Sequence, residues 1–142
     1  VSLDFFNSLS ATLDITLTEP TQDIAANLSN QRATSTARIA KLTLAVQVYA
    51  NDEQFRTPTA EELDQPALMR PEVTLRGLGD PVPHQAPNGH WFTVGDLLTA
   101  VTDTERATRH QKPWLDGIDV HHIFFEGIEF DDNGLGQINW GS

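Results

Sequence analysis

Residues 12–18, TLDITLT, alternate polar and apolar side chains without a break. Leu13, Ile15 and Leu17 share one face, and Thr12, Asp14, Thr16 and Thr18 the other. That is the period of a half-buried strand, and Glu19-Pro20 ends it. KLTLAVQVY (41–49) repeats the pattern with Leu42, Leu44, Val46 and Val48 on one side, and EVTLRGL (72–78) is a third, shorter version. Near the C-terminus, IDVHHIFFEGIEF and LGQINW flank the tetrapeptide DDNG. Asn-Gly between alternating apolar runs is a strong hairpin signal. A chain built this way must form a sheet, and the remaining segments must cover it.

The covering elements carry helix signals. Leu3, Phe5, Phe6 and Leu9 suggest a short amphipathic helix or turn after Ser2. TQDIAANLSNQ (21–31) reads as a short helix with Thr21 as N-cap. Thr59 with Glu61 and Glu62 opens a helix that breaks near Pro66. Thr93 as N-cap with Asp96 three residues on forms a capping-box arrangement. Behind it, Val94, Leu97, Leu98 and Val101 make a buried stripe, with Ala107 at its far end. The Pro- and Gly-rich stretch 79–90 reads as a loop. The order of elements predicts an α+β fold: a single domain over residues 1–142, with a mixed or antiparallel sheet of about five strands. Two or three helices pack on that sheet, and a β-hairpin closes the chain.

Charge narrows the partners. Twenty Asp and Glu face nine Lys and Arg, a formal net charge of −11. Nucleic acid and anionic membranes are poor partners for such a surface, because both require clustered cations. From Asp116 to the C-terminus there are six carboxylates and no Lys or Arg. A solvated face accounts for them, as would a cationic ligand, a metal or a basic protein partner. The absence of cysteine excludes disulfides and thiolate chemistry, and favours a reducing compartment. With no signal-peptide pattern at Val1–Leu9, a cytoplasmic location is expected.

The candidate chemistry concentrates in DVHHIFFEGIEF, residues 119–130. On a strand, His121 and His122 point to opposite faces and cannot ligate one metal together. His122 would share its face with Phe124, Glu126 and Ile128. Glu126 lies among phenylalanines, where a carboxylate must be paired, protonated or directed into a cavity. If buried, it has the raised pKa that general acid–base chemistry uses. A structural partner such as Arg76 or Arg106 would account for it equally. Gly127 beside it suggests a bulge. EFDDNGLG fits the first half of a calcium loop, but Trp140 stands where a bidentate Glu is required, so a plain turn is the better reading. His84, His90 and His110 are scattered and form no ligand motif. No GxSxG, P-loop or GxGxxG occurs, and neither metal nor cofactor is expected. Trp91, Trp114 and Trp140 either seal the core or form a platform for a sugar or cation beside the carboxylates.

WFTVGDLLTAV (91–101), HHIFFEGIEF (121–130) and INWGS (138–142) together resemble a group of small basidiomycete (mushroom) proteins of uncharacterised activity. These share a TVxDLL helix start, an FFEG(I/L) strand and a C-terminal WGS. The resemblance covers about the last third of the chain. It implies a fungal, intracellular protein and transfers no activity or catalytic residue.

The expected function is a binding module for a carbohydrate, a small polar molecule or a basic protein. Its surface would be built from Trp91, Trp114, Trp140, Glu126 and His122. A second reading is a small enzyme with Glu126 as general acid or base and His122 or His110 beside it. A third is a self-associating protein, a homodimer formed through a sheet edge or the Phe-rich N-terminus.

Overall fold

A computed structural model describes the chain over residues 3–18, 38–50, 54–112 and 117–142. The fold is α+β, as the element order predicts. Strands β1 (Ser10–Leu17), β2 (Ile39–Ala50), β3 (Gln54–Arg56), β5 (Glu72–Arg76), β6 (Val82–Gln85), β8 (Phe124–Phe130) and β9 (Leu135–Gly141) form one seven-stranded sheet. Its order is β3-β2-β1-β8-β9-β5-β6. β4 (Pro66–Leu68) and β7 (Phe92–Thr93) form a separate two-stranded ribbon. The helices are α1 (Leu3–Asn7), α2 (Ala60–Leu63) and α3 (Val94–Thr108), the last continued by a 3-10 turn at Arg109–Gln111.

The long alternating runs behave as their periodicity requires. β1 and β2 pair antiparallel from Ser10↔Gln47 to Leu17↔Ile39. β8 and β9 form the C-terminal hairpin, closed at Asp131–Gly134 by Gly134 at φ 84° and by the Asp131 carboxylate, which accepts from Asn133 and Leu135 N–H. β5 lies parallel to β9, which makes the sheet mixed. The sheet exceeds five strands because β3 and β6 are three and four residues long. No alternation can be read over such lengths, and β6 carries Pro83 inside the stretch expected to be loop. Proline is tolerated there because β6 is an edge strand. The helix expected at 21–31 lies outside the described residues.

Helix α3 crosses one face of the sheet. Thr93 and Asp96 form the expected reciprocal capping box, at 3.0 Å in each direction; such a cap stabilises a helix by about 1 kcal/mol. Val94, Leu97, Leu98 and Val101 are buried against Val73, Leu75, Phe92, Ile128 and Ile138. Phe6 of α1 joins the same core, edge-on to Phe125 at 5.4 Å. Each such side chain contributes roughly 1.5–3 kcal/mol on burial.

Candidate functional site

The buried stripe of α3 does not end at Ala107, which is exposed. From Val101, a 3.6-residue period leads to Thr104, Glu105 and Thr108, and all three are buried. The stripe therefore begins apolar and ends polar. Thr104 and Thr108 donate to the carbonyls of Ala100 and Thr104, at 2.8 and 2.7 Å. With the Thr104 hydroxyl proton so used, His84 Nε2, 2.7 Å away, acts as donor to Thr104 Oγ1. Burial lowers the His84 pKa, in keeping with a neutral ring.

Glu105 and Arg109, one turn apart, form an ion pair with 0% side-chain exposure on both partners and Nε–Oε1 at 2.7 Å. Burial pushes the Glu105 carboxyl up, against the pull of Arg109. Gly77 receives this carboxylate: a Cβ at position 77 would overlap Glu105 Oε2. The Arg109 guanidinium lies 5.3 Å from the centre of the Trp140 ring, which meets Phe125 edge-on at 5.8 Å. The Trp140 indole N–H is near enough to the Glu105 carboxylate to oppose the rise in its pKa, yet falls short of hydrogen-bonding geometry.

Arg109 Nη1 also donates to the Asp119 carbonyl at 2.9 Å. The buried Asp119 carboxylate accepts from the backbone N–H of His121 and His122, at 2.8 and 2.9 Å, and holds His122 Nδ1 at 2.7 Å. Burial alone would raise the Asp119 pKa. The two backbone N–H groups and the His122 ring outweigh it and bring the pKa down. A continuous polar chain thus runs from the interior of α3 through Arg109 and Asp119 to the half-exposed ring of His122.

Several expectations need correction. His121 and His122 precede β8 and lie in the turn organised by Asp119, so strand alternation does not set their directions. Glu126 is exposed. Gly127, at φ 94°, is where the β8–β9 register shifts, so Phe125 and Ile128 both point inward and Glu126 points out, against Gly141. Gly127 therefore is the expected bulge; Glu126, just before it, follows ordinary alternation and lies on the exposed face with Phe124, without the burial on which its reading rested. Neither proposed arginine partner serves Glu126: Arg76 donates to Gln137, and Arg106 to Asp103 and the Leu42 carbonyl. His110 is exposed on the 3-10 turn. Trp91 is half-buried, its backbone N–H donating to Asn88 Oδ1 and its ring 6.1 Å from that of His90. Trp140 faces the Arg109 network, and no described ring contact or hydrogen bond joins it to Trp91. Trp114 lies outside the described residues. Among the described residues, no group of three or more His, Asp and Glu is arranged to hold a metal, and no helix is long and apolar enough to cross a membrane.

A second feature has no counterpart in the sequence motifs. Between β2 and α3 lies an open groove of about 490 Å³. Leu44, Val46, Leu63 and Leu98 supply apolar walls, and Thr99, Thr102, Asp103 and Arg106 of α3 supply polar ones. Asp103 and Arg106 pair at 2.8 Å. Leu44 and Val46 are only partly buried because the helix does not close over this part of the strand. The signal available in sequence was the long apolar face of β2, which exceeds what one helix stripe can cover.

Comparison with known proteins returned no matching family model, curated relative or solved structure.

Proposed function

We propose that this chain is a binding module for a small amphipathic molecule, held in the groove between β2 and α3. The observation that carries the reading is the groove itself. Its volume falls within the roughly 300–1,000 Å³ of small-molecule sites, and apolar walls with a few converging polar groups are their usual composition. Leu44, Val46, Leu63 and Leu98 would take the apolar body of the ligand. Asp103 and Arg106 offer an acceptor and a donor for its polar end. The walls are aliphatic and threonine-rich rather than aromatic, so a carbohydrate, which stacks on aromatic rings, is a poorer fit than a compact hydrocarbon bearing a carboxylate or hydroxyl.

The test is an amide-resolved NMR titration with a panel of short alkyl and aryl carboxylates and alcohols, and with oligosaccharides as the contrast set. Shifts confined to β2, α2 and the outer face of α3 are the expected result. Val46→Phe, which fills the groove, should abolish them while leaving the fold intact. Saturable shifts at Trp91 or at the His122 turn, with the groove silent, would sink the reading.

A second reading has one specific observation in its favour. Asp119 fixes His122 through Nδ1 at 2.7 Å, the orientation that enzymes impose on an acid–base histidine. In that reading His122 is the acid–base group, Asp119 its orienting partner, and Glu126 and His110 have no role. An activity found in a hydrolase screen should then be lost in both His122→Asn and Asp119→Asn; survival in either variant counts against it.

A further inference from the structure

Three buried polar atoms have no hydrogen-bond partner among the described residues and belong to one cluster: Glu105 Oε2, Arg109 Nη2 and Trp140 Nε1. Their neighbours are already committed. Glu105 Oε1 takes Arg109 Nε, Arg109 Nη1 serves the Asp119 carbonyl, and the Thr104 and Thr108 hydroxyls donate to helix carbonyls. Leaving one such atom unsatisfied is uncommon, and leaving three together, two of them on charged groups, is costly. Arg70 Nε is also buried and unpartnered, but it lies apart, over Phe130.

The chemistry of the cluster selects what could complete it. One carboxylate oxygen accepts, and one guanidinium and one indole N–H donate. The carboxylate and guanidinium cancel in charge, so an anion would face Oε2 and a cation would face two donors. A small neutral molecule that accepts two hydrogen bonds and donates one meets all three demands, and water is that molecule. Buried waters typically make about three such bonds.

We infer that Glu105, Arg109 and Trp140 enclose an internal water site that joins helix α3 to strand β9. The water accepts from Arg109 Nη2 and Trp140 Nε1 and donates to Glu105 Oε2. It completes the ion pair without the side-on alignment that would bring Nη2 directly to Oε2. Gly77 is part of the site, because any side chain there would displace the carboxylate the water bonds to.

A crystal structure of the full chain, at a resolution that shows ordered solvent, tests this directly. One water within hydrogen-bonding distance of all three atoms is the expected result. A direct Nη2–Oε2 or Nε1–Oε2 hydrogen bond with no density between the partners would overturn it. In solution, the Trp140 indole proton should show a cross-peak to water with the sign of a long-lived internal molecule, and lack of that cross-peak also overturns the site. Both measurements use the unmodified chain, so no variant has to fold for the answer to count.

Discussion

Among the described residues, two Glu–Arg pairs of the same length behave in opposite ways. Glu62 and Arg56 meet at 2.7 Å near the surface, with Arg56 retaining 45% of its side-chain exposure. Glu105 and Arg109 meet at 2.7 Å with no exposure at all. The Glu62 pKa falls to about 2, chiefly through the hydrogen bonds from Arg56 and then through the Thr59 N–H of the capping box. The Glu105 pKa rises, because lost hydration outweighs the arginine. Contact distance therefore ranks neither pair. What decides is how much water still solvates the ion: desolvation opposes both pairs, but only in the buried one does it outweigh the arginine.

The largest effect that would break the comparison comes from Arg109→Ala. Removing one partner of a buried pair leaves an uncompensated charge, and a loss of about 3–5 kcal/mol is expected by chemical denaturation. The Asp119 carbonyl loses its donor in the same variant. Glu105→Leu combined with Arg109→Met removes both charges and should be less destabilising than Arg109→Ala alone. If the double variant is the worse of the two, the desolvation account of this pair is wrong.

Gly77→Ala comes next. The added methyl must displace the Glu105 carboxylate, and overpacking of this kind costs roughly 1–3 kcal/mol. In a Glu105→Ala background the collision disappears, so a double-mutant cycle should show strong coupling between positions 77 and 105. Additive losses would mean that Gly77 serves some other purpose.

These two sites show what was legible beforehand. The capping box at Thr93, the β1 and β2 alternation and the hairpin at Asn133-Gly134 follow from local rules, and each stands in the structure. The buried pair was also written in the chain, as a Glu-x-x-x-Arg in helical phase with Val101. Its burial is not legible there, because the same spacing is equally that of a solvent-exposed helix pair. Glu126 misled because phenylalanine neighbours do not by themselves mark a buried face: Phe124 is exposed, and Glu126 lies on the same side. Gly127 inserts a bulge, and every face assignment beyond it reverses. His122 gained its partner from Asp119, three residues earlier in a turn that strand alternation could not anticipate. The groove depends on where α3 lies across β2, a tertiary fact that no window of sequence holds.

The pH dependence of stability sharpens the contrast. Glu105 has a raised folded pKa, so the folded state keeps a proton that the unfolded chain has lost. Its contribution is thus fully present below the ordinary glutamate range and is lost as pH rises through the folded value. Asp119 has the opposite sign. Its contribution is present above the ordinary aspartate range and is lost as pH falls through its lowered value. His84, whose pKa burial lowers, adds stability as pH rises through the histidine range. Glu105→Gln leaves the Asp119 and His84 slopes in place and removes the decline above the glutamate range. Denaturant midpoints collected from acid to neutral pH in both proteins should differ in slope by that decline, whatever offset the unpaired Arg109 adds. Parallel curves would show that Glu105 does not titrate out of step with the unfolded chain.

The smallest effect belongs to the exposed pair. Arg56→Ala should leave the denaturation midpoint almost unmoved, because water replaces the lost partner and salt already screens the attraction. The Glu62 titration should nevertheless respond plainly. Its folded pKa, about 2 in the parent, is set first by Arg56 and second by the Thr59 N–H at 2.9 Å. Loss of the guanidinium should lift that pKa, and the remaining cap hydrogen bond should keep it below the ordinary glutamate range. Carboxyl-detected NMR titration separates the two causes. A pKa still near 2 would assign the whole depression to the cap. A full return to the ordinary range would mean that the cap needs Arg56 to hold Glu62 in place. By linkage, the rise in the Glu62 pKa and the stability lost above the ordinary glutamate range must match, so a plain rise with an unmoved midpoint would place part of the shift in the unfolded chain as well.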